Sequence, residues 1–380
     1  MEKRIIPISL PVTGEEEWLA LKEPLSTGWL TSGPKVRAFE EAFAARHQVK
    51  HAIAVTSATT ALHLALVALD IQPGDEVIVP AFTWVSTANV VLYQGAKVVF
   101  CDIDPNTFNL DPKKLQEKIS SKTKAVMVVH LFGLCAPMDE IKAVAGDIPI
   151  VEDGACAAGA AFKGVPAGAL GIMGCFSFHP RKSITTGEGG MITTNDDALG
   201  ERLQVLRNHG ASISEEQRHH GPKPYILPDF NELGYNYRMT DLQGAIGEVQ
   251  LKKLDTFIEQ RQKWATFYME ALSEIPWIQL PKFSSDYKHG WQSFVLLIDE
   301  HSAPMTRNAI MEELQQAGIS TRPGTHAVHM LGYYAEKYQI EPADFPGAQK
   351  ANDKSISIPL HNKMVEEDFK YVIHCIKNIR

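Results

Sequence analysis

Between residues 50 and 195, short apolar runs alternate with stretches in which apolar positions recur at helical spacing. The apolar runs are HAIAV, DEVIV, AKVVFCDI, KAVMVV and IPIVED, and the helical stretches include ATTALHLALVAL and WVSTANVVLY. Runs of this kind are typical of strands covered on both faces, and intervening helices impose parallel pairing. The pattern therefore predicts an α/β fold with a mostly parallel, doubly wound sheet.

The starts of several helices are marked by residue type. Thr13 followed by Glu16 fits a capping box, and a proline follows both Gly33 and Asp111, where it favours a first helical turn. A long helical stretch is predicted from about residue 240 to 274. We expect this helix to lead from a larger domain into a smaller one.

The patterns of strands and helices predict two domains. A large α/β domain with an N-terminal segment spans residues 1–255, and a smaller α+β domain spans residues 256–380. The smaller domain contains the strand pattern SFVLLID and the helical patterns RNAIMEELQQAG and VEEDFKYVIHCIKN. Residues 208–235 contain few apolar positions and are predicted to form a long loop, and loops of this length are usually functional.

Composition and charge exclude several classes of protein. The 380 residues are 44% hydrophobic and 22% charged, as in ordinary globular proteins. The net charge of −8 argues against nucleic acid as a partner, because such binding depends on clustered Lys and Arg. No apolar stretch suits a signal peptide or a membrane span, so we predict a cytoplasmic protein with no membrane partner. Five cysteines without a CxxC pair predict neither a disulfide framework nor a metal site.

Three stretches contain residues suited to chemistry. In VEDG, Asp153 follows a buried strand at the edge where open α/β sheets bind ligands, although a lone Asp there also fits a cap on the next turn. In SATT, residues 57–60, free N–H groups at a helix start suit either a phosphate or an ordinary N-cap. In SFHPRKSITTGEGG, Lys182 lies between a strand and a glycine-rich turn. Partial burial there favours the neutral amine that attacks carbonyl carbons, whereas most lysines are simply solvated.

An acid, a phosphate cradle and a partly buried lysine on one sheet are together what pyridoxal 5′-phosphate requires. The lysine joins its aldehyde, the acid faces its pyridine nitrogen, and the cradle holds its phosphate. We therefore predict this cofactor. The sequence contains neither a Walker A motif nor GxGxxG, which removes the usual support for nucleoside triphosphate or dinucleotide binding.

The chain also resembles the DegT/DnrJ family, the sugar-aminotransferase branch of the fold-type I pyridoxal-phosphate enzymes. The matching stretches run nearly end to end: GWLTSGPKVRAFE, TSATTALH, GDEVIVPAFTWVSTANV, VEDGACA, CFSFHPRKSITTGEGG, RNHG, GYNYRMTDLQGAIG and SIPLH. The resemblance implies a fold-type I transferase whose large domain holds the cofactor. It also implies a homodimer with shared active sites.

The resemblance implies a role for each matched residue. Lys182 carries the cofactor covalently and later moves a proton, while Asp153 keeps the pyridine nitrogen protonated. The other cofactor-binding positions are Ala58, Thr59 and Ser177 at the phosphate, Trp84 on the ring, Cys156 near the 3-oxygen, and Asn236, which reaches the phosphate across the dimer. The substrate-binding positions are Thr31, His179, Arg238, His326 and His329, of which Arg238 binds the donor carboxylate.

Some of these positions keep an alternative or depart from the family pattern. Trp84 fits a core tryptophan as well as a stacking partner. His326 and His329 fit structural packing as well as substrate contact, and the same holds for the histidine and tryptophan of HGWQSF. Cys156 stands where many relatives have Gln or His, and Ala58 stands where glycine is common.

We predict an aminotransferase that moves an amino group from glutamate to a keto group of a nucleotide-linked sugar, with UDP- or dTDP-linked 4-keto-deoxysugars favoured. Pyridoxamine phosphate is the expected intermediate form, and amino-sugar, polysaccharide or lipopolysaccharide biosynthesis is the expected setting. The alternatives are a ketosugar dehydratase (a lyase), an aminotransferase of a cyclitol ketone, and a regulatory protein without turnover. In deoxygenating relatives a histidine replaces the lysine, so the retained Lys182 favours amino transfer.

Overall fold

The computed structural model describes residues 3–213, 225 and 227–380, so part of the loop predicted at 208–235 lies outside the described residues. Its strands are β1 (His51–Val55), β2 (Glu76–Pro80), β3 (Phe82–Thr83), β4 (Lys97–Cys101), β5 (Thr123–Val129), β6 (Ile150–Asp153), β7 (Ala161–Phe162), β8 (Val165–Pro166), β9 (Met173–Ser177), β10 (Gly190–Thr194), β11 (Ile278–Gln279), β12 (Tyr287–Lys288), β13 (Phe294–Ile298), β14 (His326–Ala327) and β15 (Ser355–Ile358). The α-helices of the described part are α1 (Glu15–Ala20), α2 (Lys22–Thr27), α3 (Pro34–His47), α4 (Ala58–Ala68), α5 (Ser86–Tyr93), α6 (Pro112–Gln116), α7 (Met138–Ala145), α8 (Asp197–Leu206), α9 (Asp241–Leu272), α10 (Arg307–Gln316), α11 (Gly332–Tyr338), α12 (Pro346–Lys354) and α13 (Glu366–Lys377).

The main sheet has seven strands in the order β1-β10-β9-β6-β5-β2-β4. Strands β9, β6, β5, β2 and β4 pair in parallel, whereas β10 runs antiparallel to both of its neighbours. Val77 and Val79 of β2 pack in one apolar cluster with α4, while Ile78 packs in another with α3, as alternation along a strand requires. Both faces are therefore covered, and the predicted fold class is confirmed.

Three of the predicted helix starts agree with the structure and one differs. Helices α3 and α6 begin at their prolines, and α9 begins after Thr240, whose hydroxyl accepts from the Gln243 backbone N–H. The cap of α1 is Gly14 rather than Thr13, because Glu17 instead of Glu16 folds back to accept from the Gly14 N–H at 2.8 Å. Glu17 is buried and also accepts from α9, so tertiary contacts determine this helix start.

The C-terminal part of the chain contains a second sheet, in which β13 lies between β11 and β15 in antiparallel pairing. Helices α10 and α13 and the end of α9 form an apolar cluster with it. The N-terminal segment reaches the same cluster, since the Ile6 N–H donates to the Gly318 carbonyl at 2.8 Å and the Ile6 side chain is 2% exposed. The division at residue 255 stays a prediction.

Among the described residues, no helix is both long enough and apolar enough to cross a membrane.

Candidate active site

The carboxyl ends of β6 and β9 bring the acid and the lysine of the sequence analysis together. Asp153 ends β6 and is paired with Cys175 of the neighbouring strand β9, which ends at Ser177. The chain then makes a tight turn, in which the Lys182 N–H donates to the His179 carbonyl at 2.8 Å and Pro180 takes the second position. Lys182 is thereby returned to the same edge of the sheet.

Asp153 is 4% exposed, and its carboxylate is held by two donors. The Thr87 hydroxyl donates to Oδ2 at 2.7 Å, and the Ala155 N–H donates to Oδ1 at 3.2 Å. Burial raises the pKa of Asp153 above its ordinary value, and these hydrogen bonds and the charge of Lys182 offset part of the rise. A cation placed before this carboxylate would be stabilised in the low-dielectric interior.

Lys182 and Cys156 are close neighbours, although 26 positions separate them in the chain. The Nζ atom of the lysine lies 3.2 Å from the Sγ atom of the cysteine, and both side chains are partly buried. The lysine amine therefore lies in a partly desolvated position beside a polarisable sulfur atom.

The start of α4 forms a second part of the site. Ser57 Oγ accepts from the Thr60 N–H at 3.2 Å, and the N–H groups of Ala58 and Thr59 belong to the first helical turn, where no intrahelical acceptor exists. Gly190 of β10 pairs with both Val55 and Ser177, and a Cβ atom there would lie 2.4 Å from the Ser57 carbonyl carbon. This glycine lets the helix start approach the end of β9, so the amides and the Ser177 hydroxyl share one edge of the sheet.

Trp84 and His326 form an exposed aromatic pair next to Thr87, the hydrogen-bond donor of Asp153. The Trp84 carbonyl accepts from the N–H of Thr87, the residue that binds Asp153, and His326 pairs with Thr83 across β14 and β3. The two rings lie 5.5 Å apart at an interplanar angle of 69°. Trp84 is 59% exposed, so the alternative of a core tryptophan is wrong.

His329 is fully buried, unlike His326. It lies 4.7 Å from Phe345 between ring centroids, its Nε2 is 3.3 Å from the Pro342 carbonyl, and burial lowers its pKa. His289 and Trp291 are also buried and stack at 3.9 Å. This burial supports the packing alternative for all three residues.

Arg238 and Asn236 lie at the outer edge of the sheet. Arg238 bridges to Val55 of β1 through its backbone, and its Nη1 donates to Asn208 Oδ1 at 2.8 Å. Its Nε is buried and has no hydrogen-bond partner within the described part of the chain. Arg238 and Asn208 line a cavity of about 640 Å³, and the Asn236 side chain is exposed nearby.

The two remaining candidates are Thr31 and His179. Thr31 is exposed, and its carbonyl accepts from the Asp241 N–H at 3.3 Å at the start of α9. His179 is partly buried at the beginning of the lysine turn, its Nδ1 accepts from the Arg181 N–H at 3.2 Å, and burial lowers its pKa. His179 thus lies next to Lys182, whereas the described hydrogen bonds of Thr31 do not reach the lysine.

Thr87 and a buried pair of side chains behind the site, His130 and Glu152, were not predicted from the sequence. His130 Nδ1 accepts from the Ala136 N–H, so Nε2 carries the proton and donates to Glu152 Oε2 at 2.8 Å. Glu152 also accepts from the backbone N–H groups of Gly168 and Gly171. The backbone N–H of His130 donates to the Asp153 backbone carbonyl at 3.0 Å. The pair ties the loop between β5 and α7 and the loop between β8 and β9 to β6. Two features of the sequence could have indicated these residues: Glu152 directly precedes Asp153 in VED, and Thr87 is a hydroxyl residue in TWVST.

Known proteins resemble this chain over nearly its whole length. Its sequence matches the DegT/DnrJ/EryC1/StrS aminotransferase family over residues 11–377. It is 40% identical over 377 residues to the spore coat polysaccharide biosynthesis protein SpsC of Bacillus subtilis, covering 98% of this chain and 97% of that protein. The PLP form of the putative sugar aminotransferase Spr1654 from Streptococcus pneumoniae has a TM-score of 0.90 at 28% identity, covering 99% of this chain and 98% of that one. Helicobacter pylori PseC, an aminotransferase involved in the biosynthesis of pseudoaminic acid, has a TM-score of 0.91 at 26% identity and covers 99% of both chains.

Proposed function

This chain belongs to the DegT/DnrJ/EryC1/StrS aminotransferase family, and we propose that it transfers an amino group from glutamate to a keto group of a nucleotide-linked sugar. It is a sugar aminotransferase, and its cofactor is pyridoxal 5′-phosphate, as predicted from the sequence. The observation that carries the proposal is that Asp153 ends β6 as a buried carboxylate, while Lys182 lies in the turn after the adjacent strand β9, close enough for its charge to act on that carboxylate.

The residues at this edge of the sheet fit the cofactor. The buried Asp153 carboxylate suits a protonated pyridine nitrogen, because Thr87 and Ala155 orient it without neutralising it. The free amides at the start of α4 and the Ser177 hydroxyl suit a phosphate dianion. When bound, the cofactor supplies an electron sink for the electron pair left on a carbon that loses its proton.

We assign the proton transfers to Lys182. Its amine would hold the cofactor between turnovers and, when the amino donor displaces it, would take the proton from the donor α-carbon. In the second half-reaction it would return a proton to the sugar carbon that receives nitrogen. The described hydrogen bond of the Lys182 amine goes to the Cys156 sulfur and not to a carboxylate, and such a weak acceptor leaves the amine free to move.

The donor carboxylate is assigned to Arg238. Because Asn208 occupies one Nη1 donor, the guanidinium is oriented at the cavity that Arg238 lines, and within the described part of the chain its buried Nε has no hydrogen-bond partner. A planar guanidinium binds two carboxylate oxygens at once, which suits an amino acid such as glutamate. Arg238 and the exposed Asn236 lie at the outer edge of the sheet, where we propose that they serve the active site of a second copy in a homodimer.

The sugar side is assigned to the exposed pair of Trp84 and His326, with His179 beside the lysine and Thr31 at the rim. Trp84 would also cover the cofactor ring, given its position before Thr87. The relative SpsC is named for spore coat polysaccharide biosynthesis, which supports polysaccharide precursors as the substrate class. A UDP- or dTDP-linked 4-keto-deoxysugar is the substrate that we propose.

The test is a panel of nucleotide-linked ketosugars and cyclitol ketones incubated with glutamate, with products identified by mass. An amino sugar is expected together with 2-oxoglutarate, and Lys182→Ala should form neither, while the exposed control Lys163→Ala should form both. A nitrogen-free dehydrated sugar would instead support the lyase alternative. Amino-sugar formation by Lys182→Ala would contradict the role of the lysine.

A further inference from the structure

We propose that Gln292 is a positioning residue for Lys182, acting from the C-terminal part of the chain. Gln292 lies in the connection between β12 and β13, residues 289–293, which we call the 289–293 segment. Its Nε2 donates to the Arg181 carbonyl at 2.9 Å, across 111 positions of sequence. That carbonyl belongs to the peptide group that joins Arg181 to Lys182. The inference rests on the proposed role of Lys182.

The lysine turn itself leaves this carbonyl unpaired. The turn is closed by the hydrogen bond from the Lys182 N–H to His179, and the Arg181 N–H is bound by His179 Nδ1. The Lys182 N–H and the Arg181 carbonyl lie in one peptide plane, so the turn holds this plane at its N–H edge only. Gln292 donates to the carbonyl at the opposite edge, so it restrains the second side of the peptide from which the Lys182 side chain projects.

Gln292 is in turn fixed by its neighbours. Its N–H donates to the Phe132 carbonyl at 3.1 Å, and its own carbonyl accepts from Arg261 Nη1 at 3.1 Å. Ser293 Oγ donates to Gln292 Oε1 at 3.0 Å, which directs Nε2, rather than the amide oxygen, towards Arg181. The amide is therefore oriented before it meets the lysine turn.

The 289–293 segment has the strain of a rigid support. Trp291 has a φ angle of +47°, a conformation that is a genuine outlier for a bulky side chain and persists only when the surroundings impose it. Here the indole N–H of Trp291 donates to Gln262 Oε1, and the backbone carbonyl of Trp291 accepts from Nη1 of the buried Arg261. The preceding Gly290 N–H donates to the Gly133 carbonyl at 2.7 Å, next to the end of β5.

These contacts suggest why the lysine needs a support outside its own turn. Lys182 must find the cofactor aldehyde each time that it is released, and a bound reactant reacts fast only when the geometry is already close to productive. With the tether, rotation of the Arg181–Lys182 peptide is restricted and the amine stays near the aldehyde. Without it, the fold remains but the rate of capture falls.

The experiment measures covalent capture of pyridoxal phosphate by the apoprotein. Samples are quenched with borohydride at successive times, and the labelled Lys182 peptide is quantified by mass. Gln292→Met keeps the side-chain size but removes the donor, and capture should slow about tenfold. The matched control is Gln262→Met, which removes one contact of Trp291 but leaves the bond from Arg261 and the lysine turn intact, so capture should stay within about twofold of the wild type.

Gln292→Ala is measured in parallel, so that a folding defect in one variant leaves the test intact, and circular dichroism checks both. Capture at the wild-type rate by a folded Gln292 variant would overturn the proposal. Equal slowing by Gln262→Met would also overturn it, because the effect would then come from the whole segment. Absence of any label on Lys182 in the wild type would instead show that the proposed role of the lysine had failed.

Discussion

The amine of Lys182 lies 3.2 Å from the thiol of Cys156, three residues beyond the acid of the site. A thiol is a weak hydrogen-bond acceptor, so it orients the amine without fixing it in place. The same proximity means that any group added to the sulfur would occupy the space that the lysine uses.

Alkylation of Cys156 should therefore block the lysine. We expect iodoacetamide to reduce covalent capture of pyridoxal phosphate by the wild-type apoprotein at least about tenfold, since the amine loses its productive geometry. Cys156→Ser should bind the cofactor and resist the reagent. Cys375→Ser, which removes the other partly buried thiol, should remain as sensitive as the wild type. Equal inactivation of Cys156→Ser would contradict the importance of this contact.

Replacing Asp153 by Asn should separate stability from function. Because burial raises the pKa of Asp153, its contribution to stability is present below the unfolded value of about 3.8 and is lost as pH rises through the folded value. The neutral Asn avoids this loss, so the Asp153→Asn apoprotein should resist urea at pH 7 at least as well as the wild type. The glutamate half-reaction should nevertheless fall at least about 100-fold, because the ring nitrogen loses its anionic partner. A wild-type half-reaction rate would contradict the assignment.

The buried His47 should make the protein sensitive to mild acid. Burial lowers the pKa of His47 from 6.5 to about 3. Its stabilising contribution is complete above pH 6.5 and is lost as pH falls towards 3, where the unfolded chain binds a proton that the folded chain does not. Between pH 7 and pH 5 this one group should cost about 2 kcal/mol of unfolding free energy. Urea unfolding of His47→Leu at the two pH values should show a smaller loss than the wild type, and an equal loss would exclude His47 as the cause.

Arg238→Lys should weaken the amino donor selectively. A lysine keeps the charge but cannot bind two carboxylate oxygens in one plane, so KM for glutamate should rise at least about tenfold, close to 1.4 kcal/mol. The KM for the ketosugar should change little. Arg46→Lys alters an exposed ion pair with Asp255 and serves as the control. A rise in the KM for the ketosugar alone would contradict this assignment and indicate that Arg238 binds the ketosugar instead.

Local patterns accounted for most of the secondary structure. The apolar run at 76–80 and the helical spacing at 241–272 are encoded by neighbouring residues, and both elements formed where they were predicted. The start of α1 was wrong by one residue because its cap depends on Glu17, which is held by Gln250 and Lys253 of α9. A contact across more than 200 residues leaves no mark on the local pattern.

By itself, the sequence determined the order of strands and helices and the family, because these depend on residue type and short spacing. It also supplied the acid and the lysine that we propose for pyridoxal phosphate. The tertiary structure decided which side chains meet: Thr87 with Asp153, Cys156 with Lys182, and Gln292 with Arg181, across 66, 26 and 111 positions. It also decided that Trp84 is exposed and His329 buried. The physical reason is that burial and contact follow from the order of strands in the sheet, which the spacing of apolar residues along the chain does not specify.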